Sequence, residues 1–375
     1  MPSHLLYVRV GSCVLLLGTL ACRRDTTAPA REHVALAPVA MSHDEGERSP
    51  SPAGTVTFES FALGAIHGQQ DWQSTGGEGS GAAPESRCAV YDHVIADNAT
   101  MVPTAAREAV FGRRSLRISN AVTSGCYSDQ TFSQRAADVA GESGAISRSR
   151  DGATDYAVTG ARLRNRFEAE WTLISAQPSA WQPGLELVVS PARGDDHRMS
   201  WVQVADWSDG LAVVFAERSD PAAPGAIERS LVVRGLDRRR AHVIRLTMDF
   251  VDGAHNDVVR VQVDGVLRHA GGSWETYYQD DVNGRANFSG ATPAVNRLMF
   301  RTGSDAHRGV PGDPAPATRG FGFLIDAVRV SAYSVARSAD ACRDGAWREL
   351  RDDAGHAFRH QGDCVRGAQR LRRDP

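Results

Sequence analysis

The sequence predicts an all-β protein, a two-sheet antiparallel jelly-roll sandwich, and three observations support this. Apolar and polar side chains alternate with a period of two in many short runs between Thr55 and Ser334, whereas a helical period is weak. Gly, Pro, Asp and Ser separate these runs, as they do in loops between antiparallel strands. With 375 residues and 42% hydrophobic residues, the chain can bury the core of one large domain.

The N-terminus predicts export from the cytoplasm. Residues 1–22 combine a basic residue, an apolar run and small residues, which is the layout of a signal peptide, and they are too short for a stable membrane span. The motif TLAC, which ends at Cys22, resembles a bacterial lipobox and implies a lipid anchor on an outer-membrane or cell-surface protein. Ordinary cleavage after Ala21 fits the same residues and gives a secreted protein.

Composition divides the rest of the chain into three parts. Residues 23–54 are rich in Pro, Ala, Ser and mixed charge and lack a hydrophobic period, so we expect a flexible linker. Residues 55–335 form the predicted sandwich, and residues 336–375 form a C-terminal tail bridged by cysteines. Within the sandwich, residues 62–165 are rich in Gly, Ser and Ala apart from the run SLRISNAV, and they predict long loops over one end.

The strands are predicted from alternation within short runs. In VIRLTMDF, the residues Ile244, Leu246 and Met248 fall on one face and the polar residues fall on the other. Asp264-Gly265 predicts a two-residue hairpin turn, because both residue types tolerate positive φ. The other predicted strands are FEAEWTLIS, GLELVVS, MSWVQVADW, LAVVFAE, SLVVRGL, VVRVQVDGV, VNRLMF and FGFLIDAVRVSAY.

Four cysteines lie beyond the N-terminal segment, and they predict two disulfides. An even number of cysteines in an exported chain favours pairing, because the compartment is oxidising. Four free buried thiols are the alternative. The expected pairs are Cys88–Cys126 and Cys342–Cys364.

Composition and missing motifs exclude several function classes. The formal net charge of −3 offers no basic surface, so nucleic acid is not an expected partner. The chain has no Lys, which excludes Walker-type phosphate loops, Schiff-base chemistry and Ser-Lys nucleophile pairs. The motifs G-x-S-x-G and HExxH and complete EF-hand loops are absent.

Several segments resemble a known family. The runs VVRVQVDGVL, VNRLMFRTG and GFLIDAVRVSAY resemble the closing strands of concanavalin A-like jelly rolls, a group that includes laminin-G-like modules, lectins and several glycanases. Segments such as FESFALGAIHGQQDWQSTG and SWETYYQDD are also similar to a set of uncharacterised secreted bacterial proteins. The tail resembles a short C-terminal motif of secreted bacterial proteins, in which Trp347 and Phe358 would form a small core. The resemblance implies the fold, and fold alone does not determine function.

An aromatic and acidic cluster, SWETYYQDDV, follows one of the strands. Aromatic faces stack on sugar rings, and carboxylates and amides bind sugar hydroxyls, so the cluster predicts a glycan site. A loop that plugs the end of the sandwich would use the same side chains. The candidate ligand-binding residues are Trp207, Trp274, Tyr277, Tyr278, Asp280 and Arg301.

Two carboxylates in FEAEW are the nearest approach to a catalytic pair. Glu168 and Glu170 stand at i and i+2 of a strand and therefore project from one face roughly 7 Å apart, which overlaps the carboxyl separation of inverting glycosidases. A solvated polar face above Phe167 and Trp171 is the other interpretation. The strand motif Glu-x-Asp-x-x-Glu of jelly-roll glycanases is absent, so no catalytic residue is assigned.

The resemblance also implies a structural calcium ion. In GFLIDAVRV, strict alternation places Asp326 on one face with Leu324 and Val328, so the carboxylate lies among apolar residues and needs a partner. Many carbohydrate-binding jelly rolls hold calcium between a first strand, here with Glu59, and a last strand, here with Asp326. Calcium prefers such oxygen ligands. Backbone N–H groups at a bulge could satisfy Asp326 instead.

These observations leave three hypotheses about function. The first is a secreted or lipid-anchored protein that binds a polysaccharide or cell-surface glycan without cleaving it. The second is a glycoside hydrolase or polysaccharide lyase with an unrecognised site, and the third is a structural envelope protein. The sequence does not indicate which glycan is bound or which oligomeric state the protein adopts.

Overall fold

The structure of the protein is a computed structural model. It describes residues 54–75, 92–100, 111–119, 130–145, 161–192, 198–288, 290–302 and 322–371. The predicted signal peptide, the predicted linker up to residue 53, Cys22 and the predicted Cys88–Cys126 disulfide lie outside these residues.

Short strands are the main regular structure of the described residues, as the alternation predicts. They are β1 (Gly64–Ala65), β2 (Gln73–Thr75), β3 (His93–Asp97), β4 (Arg114–Ile118), β5 (Gln130–Phe132), β6 (Val139–Ala140), β7 (Leu163–Arg164), β8 (Arg166–Ser175), β9 (Glu186–Ala192), β10 (Trp201–Trp207), β11 (Gly210–Glu217), β12 (Glu228–Leu236), β13 (His242–Asp249), β14 (Val258–Val263), β15 (Val266–Gly271), β16 (Arg297–Thr302), β17 (Phe323–Val335) and β18 (Leu350–Arg351).

The strands form two large sheets whose order defines a jelly roll. Sheet I runs β1-β3-β4-β17-β8-β13-β14-β15, with β18 added to β17, and sheet II runs β12-β11-β10-β9-β16-β5-β2. Large-sheet neighbours are antiparallel except β17 and β18. Along the chain, the next large-sheet strand lies in the other sheet after β1, β2, β4, β5, β8, β12, β15 and β16. This is the predicted two-sheet antiparallel jelly-roll sandwich.

The core lies between the two sheets and follows the predicted alternation. In β8 the side chains of Phe167 and Trp171 are buried against sheet II, and in β13 those of Ile244, Leu246 and Met248 are buried beside them. Period-two strands place the intervening residues of both strands on the outer face of sheet I. The outer face is therefore built by the same alternation that builds the core.

The hairpin between β14 and β15 has the predicted turn. Asp264 and Gly265 both have positive φ, 52° and 76°, which is the backbone of a two-residue type I′ turn. The Asp264 carboxylate also accepts the backbone N–H of Val243 at 3.0 Å, which ties the turn to β13.

A bulge in β17 changes which residues share a face. Asp326 pairs with Thr172 of β8 and the next paired residue is Arg329, so the register shifts where Ala327 has a φ of 51°. Strict alternation predicts Val328 on the face of Asp326, and this is wrong: Val328 is buried in the core between the sheets. Asp326 stays on the outer face, where its carboxylate accepts the N–H of Ala327 at 2.7 Å.

Few helices occur among the described residues. Helices α1 (Glu275–Asp280) and α2 (Val282–Phe288) follow β15, and α3 (Gln361–Leu371) ends the described chain. None of these helices has the length and apolar character that a bilayer span requires.

The C-terminal tail is closed by the predicted disulfide. Cys342 and Cys364 are bonded, and both are fully buried beside Ala336 and Ala368. Trp347 and Phe358 pack against this cluster, as the sequence predicts, and it is distinct from the core of the sandwich. Strand β18 joins the tail to sheet I by parallel pairing with the end of β17.

The first prediction concerns the disulfide. The bond closes a loop with a sequence separation of 22, and such a loop contributes about 3 kcal/mol in the chain-entropy model. The small core of the tail adds little stability of its own. We therefore expect the tail to open to solvent in the double variant Cys342→Ser, Cys364→Ser. Hydrogen exchange should accelerate in residues 336–371 while β8 and β13 stay protected. Reductant added to the double variant is the control, and it should not change exchange in the tail further. Unchanged exchange in the double variant would contradict the role given to the disulfide.

Candidate ligand-binding cleft

The outer face of sheet I carries a grid of charged side chains. The grid spans the neighbouring strands β14, β13, β8 and β17, and cross-strand pairs align it in rows. Because alternate residues point to the same face, the grid consists of every second residue of each strand. These residues are Arg260 and Gln262 of β14, Arg245, Thr247 and Asp249 of β13, Arg166, Glu168 and Glu170 of β8, and Arg329, Ser331 and Tyr333 of β17.

One ion pair at the edge of this grid is buried. Arg166 donates Nε to Asp249 Oδ1 at 2.6 Å and Nη2 to Asp249 Oδ2 at 2.8 Å, a bidentate arrangement. The side chains are only 4% and 6% exposed. Arg166 also donates to the backbone oxygen and to the carboxylate of Asp353, both at 2.7 Å. The same guanidinium therefore joins sheet I to the tail.

Three arginines contact the single carboxylate of Asp249, so the positive charges around it outnumber its one negative charge. Arg260 contacts its Oδ2 at 2.5 Å and Arg337 contacts its Oδ1 at 3.2 Å, in addition to Arg166. Burial alone would raise the pKa of Asp249, but its hydrogen bonds with Arg166 and Arg260 and the charges of Arg166 and Arg337 lower it below its usual range. Asp249 is consequently an ionised structural group.

Glu168 forms a second buried junction. Its carboxylate accepts from Arg245 at 2.5 Å, from Arg329 at 2.9 Å and from the Tyr333 hydroxyl at 2.8 Å. Burial, the charge of Glu168 and the hydrogen bond to it raise the pKa of Tyr333 above its usual value. Glu170 lies on the same face, as predicted, but Glu168 is buried in ion pairs and is not part of a solvated surface.

A cleft of about 580 Å³ lies between this face and the tail. Four grid residues of β13 and β14 line its floor: Arg245, Thr247, Arg260 and Gln262. Arg166 lies where sheet I meets the tail. The tail provides the remaining lining, which consists of Asp352, Asp353, Ala354, Gly367, Arg370 and Leu371. The cleft is thus lined mainly by polar and charged side chains on a rigid sheet.

The floor residues stand in two cross-strand pairs. Arg245 is paired with Gln262 and Thr247 with Arg260. Such pairs lie about 5 Å apart across the strands, and successive outward residues lie about 7 Å apart along them. No side-chain hydrogen bond of Thr247 or Gln262 is found within the described residues. Both can therefore bind a ligand without losing an internal partner.

The predicted aromatic residues lie elsewhere, at one end of the sandwich. Trp274 and Tyr278 are 5% and 1% exposed and belong to the core. The Trp274 indole donates to the Ala216 backbone oxygen at 3.2 Å, and the Tyr278 hydroxyl donates to the Arg198 backbone oxygen at 2.8 Å. The segment therefore plugs the end of the sandwich, which is the alternative interpretation of the sequence.

The neighbours of these aromatics complete the plug. The guanidinium of Arg218 lies 4.6 Å from the ring centroid of Trp274 and 4.1 Å from that of Tyr277. Asp280 is 3.1 Å from Nε2 of His255. These contacts are within the protein, and they leave Tyr277 only partly exposed.

The structure does not bring the other two candidate residues to this cluster. Trp201, which packs against Trp274 with centroids 5.5 Å apart, begins β10, whereas Trp207 ends it. At about 3.3 Å per residue the two ends are roughly 20 Å apart. Arg301 lies on β16, two strands from β10 in sheet II. The six residues therefore do not form one groove, and ligand binding at Trp207 or Arg301 stays a prediction.

Glu59 and Asp326 have backbone partners. Glu59 Oε1 accepts the N–H of Arg113 at 2.8 Å and that of Arg114 at 3.3 Å. The predicted first strand is reduced to a single bridge, in which Val56 pairs with Val328 of β17. Among the described residues, no group of three or more His, Cys, Asp or Glu side chains is arranged to hold a metal ion. Calcium binding stays a prediction of the resemblance, which metal analysis of the purified protein tests.

Comparison with known proteins gives similarity of structure only. No protein-family model and no curated protein matches the sequence. A non-specific endo-β-1,3(4)-glucanase from family GH16 aligns with a TM-score of 0.35 at 12% identity, over 76% of this chain and 93% of the glucanase.

Two further solved structures align more weakly. A Pseudomonas aeruginosa alginate lyase has a TM-score of 0.29 at 12% identity, over 45% of this chain and 65% of the lyase, slightly less than two thirds of its length. A tetrameric galectin from the sponge Cinachyrella sp. has a TM-score of 0.25 at 8% identity, over 45% of this chain and 92% of the galectin. Similarity at this level identifies neither a substrate nor an activity.

An acidic cluster lies next to the plug. Glu275 of α1 accepts the backbone N–H groups of His255, Asn256 and Asp257. Burial and the negative charge of Glu275 raise the pKa of Asp257 to about 8. Burial and the charges of Glu275 and Asp252 raise the pKa of Glu142 to about 7. Near pH 6 the folded protein therefore keeps both carboxyl groups largely protonated, whereas the unfolded chain ionises them.

The second prediction follows from the sign of these shifts. Folding raises the pKa of Asp257. The contribution of Asp257 to the free energy of unfolding should therefore fall as pH rises from about 4 towards 8, by at most about 1.4 kcal/mol for each pH unit. We expect the wild-type protein to lose stability between pH 5 and pH 8 and Asp257→Asn to lose less. Urea unfolding at several pH values measures this. Parallel pH profiles of the two proteins would show that Asp257 does not carry the effect.

Proposed function

We propose that this protein binds a glycan chain in the cleft between sheet I and the tail, and that it does not cleave the chain. The observation that carries this proposal is the lining of the cleft, in which Arg, Gln and Thr side chains converge on one open space. Sugar hydroxyls and ring oxygens accept hydrogen bonds from such donors. A rigid, sheet-built floor favours binding because little side-chain order has to be gained on association.

Binding without cleavage is supported by the protonation of the groups beneath the floor. General acid–base catalysis needs a group whose pKa lies near the working pH and which can reach the substrate. Asp249 is held ionised by arginines, and the Tyr333 hydroxyl has a raised pKa and is bonded to Glu168. Their hydrogen-bond capacity serves the protein fold, so we assign them structural roles.

The third prediction tests the cleft with residues that have no internal partner. We expect the double variant Thr247→Ala, Gln262→Ala to fold normally and to bind its glycan about tenfold more weakly, since each neutral hydrogen bond contributes about 0.5–1.5 kcal/mol. A panel of neutral and acidic oligosaccharides identifies the tightest binder, and calorimetry then gives its Kd for each variant.

Trp207→Ala is the matched control, because Trp207 lies on sheet II. Its Kd should equal that of the wild type. Loss of binding in Trp207→Ala with wild-type binding in the cleft variant would move the site to sheet II. A panel without any binder would contradict the proposed function.

We also propose that the protein is exported and held at a membrane surface through a lipid on Cys22. The support is the layout of residues 1–22 and the polar linker behind them. A linker of this composition would let the sandwich reach glycans away from the membrane.

The fourth prediction concerns this anchor. In a host that processes lipoproteins, the wild type should sediment with membranes and Cys22→Ser should be released, because one side chain carries the lipid. Cys13→Ser is the control and should stay with the membranes. A wild-type protein found in the soluble fraction would refute the anchor.

A further inference from the structure

We infer that the glycan bound in the cleft is a polyuronate, whose carboxylates contact Arg245, Arg260 and Arg370. The inference rests on the proposed function and concerns the chemistry of the ligand at the same site. It is drawn from how the donors and acceptors of the cleft are already used within the protein.

The two carboxylates that line the cleft already have partners within the protein. Asp353 accepts from Arg166 through its carboxylate and its backbone oxygen. Asp352 Oδ1 accepts the N–H of His356 at 2.8 Å, and its other oxygen lies 3.4 Å from Nδ1 of the same histidine. A ligand that mainly donates hydrogen bonds would therefore compete with these internal partners at both carboxylates, and it would find unengaged side-chain acceptors on Thr247 and Gln262.

The arginine donors are used far less. Each guanidinium carries five N–H donors. Arg245 makes one hydrogen bond, to Glu168, and Arg260 makes one, to Asp249. Their side chains are 27% and 35% exposed. Arg370 is exposed on α3, and its side chain has neither an ion pair nor a hydrogen bond within the described residues.

The electrostatic balance favours the same conclusion. Four arginines line the cleft against two aspartates. Asp249, beneath the floor, is shared by three arginines, and Glu168 is shared by Arg245 and Arg329, so neither carboxylate neutralises its floor arginine alone. The remaining positive charge lies on the floor and on the α3 wall, and an anionic ligand between them would contact both.

The shape of the donors favours carboxylates on a chain. A guanidinium presents two parallel N–H groups that match the two oxygens of a carboxylate. Arg245 and Arg260 stand diagonally on neighbouring strands, about 7–8 Å apart, with Gln262 and Thr247 at the other two corners. A chain that carries repeated acid groups and hydroxyls can place carboxylates on the arginines and hydroxyls on the two neutral side chains.

The experiment compares an acidic glycan with its neutral ester and with a glycan that carries a different anion. Calorimetry on the full chain uses an oligogalacturonate, its fully methyl-esterified form of the same length, and a sulfated oligosaccharide of equal length. We expect the acid to bind about tenfold or more tightly than the ester, because charged hydrogen bonds contribute more than neutral ones. Added salt should weaken the binding of the acid and leave that of the ester unchanged.

Arg370→Gln gives a matched variant, since the exposed side chain has no partner whose loss would disturb folding within the described residues. This variant should lower the ratio of the Kd of the ester to the Kd of the acid about fivefold or more, because it removes one charged contact with the acid. The Kd of the ester should stay unchanged. Arg348→Gln changes an exposed arginine outside the cleft lining and should keep the full preference.

The outcomes separate the inference from the proposed function. Equal binding of acid and ester, or an unchanged preference in Arg370→Gln, would overturn the polyuronate inference while glycan binding stands. Binding of the sulfated sugar alone would also overturn it, because the anion would then be a sulfate. Absence of binding by all three sugars and by the wider panel would overturn the proposed function itself.

Discussion

The buried pair of Arg166 and Asp249 is the interaction on which the rest of the site depends. Neither charge can remain buried without the other, since removing one partner of such a pair typically costs about 3–5 kcal/mol. Burial lowers the pKa of Arg166, but the hydrogen bonds and charges of Asp249 and Asp353 outweigh burial and raise it. The pair therefore holds the Arg166 guanidinium where the tail meets sheet I, and there it donates to Asp353.

Further contacts at the same place hold the end of β17 and the first residues of the tail against the start of β8. Asn165 accepts the N–H of Val335 at 2.8 Å and donates to its backbone oxygen at 3.2 Å. Arg337 donates both to the backbone oxygen of Asn165 and to Asp249. The start of β8 is thus the docking point of the tail, and the disulfide keeps the docked segment compact. The cleft exists because the tail meets the sheet at Arg166 and leaves the neighbouring floor uncovered.

Much of the fold could be predicted from the sequence, because it depends on local patterns. Alternation in VIRLTMDF and VVRVQVDGV is sufficient to assign the buried faces, and Asp264-Gly265 is sufficient to assign the hairpin turn. A bulge that satisfies Asp326 was one of the two expectations, but its position at Ala327 could not be predicted, since a positive φ at Ala has no local sequence signal. Tail docking could not be predicted either, because Arg166 and Asp353 are 187 residues apart in the chain.

The site was harder to predict than the fold for a physical reason. Aromatic residues such as Trp274 and Tyr278 serve equally well for stacking on sugars and for filling a core, and only tertiary packing distinguishes the two uses. The arginines of the cleft floor were visible as the polar half of the strand pattern. Polar residues on an alternating strand indicate an outer face, and they identify a site only when another element, here the tail, encloses them.

The most direct measurement is hydrogen exchange of the full chain with and without saturating oligogalacturonate. A ligand between sheet and tail must contact elements that are distant in sequence, so β13, β14 and α3 should gain protection together. Protection confined to sheet II around β10 and β16, with no change in β13, β14 or α3, would contradict the account.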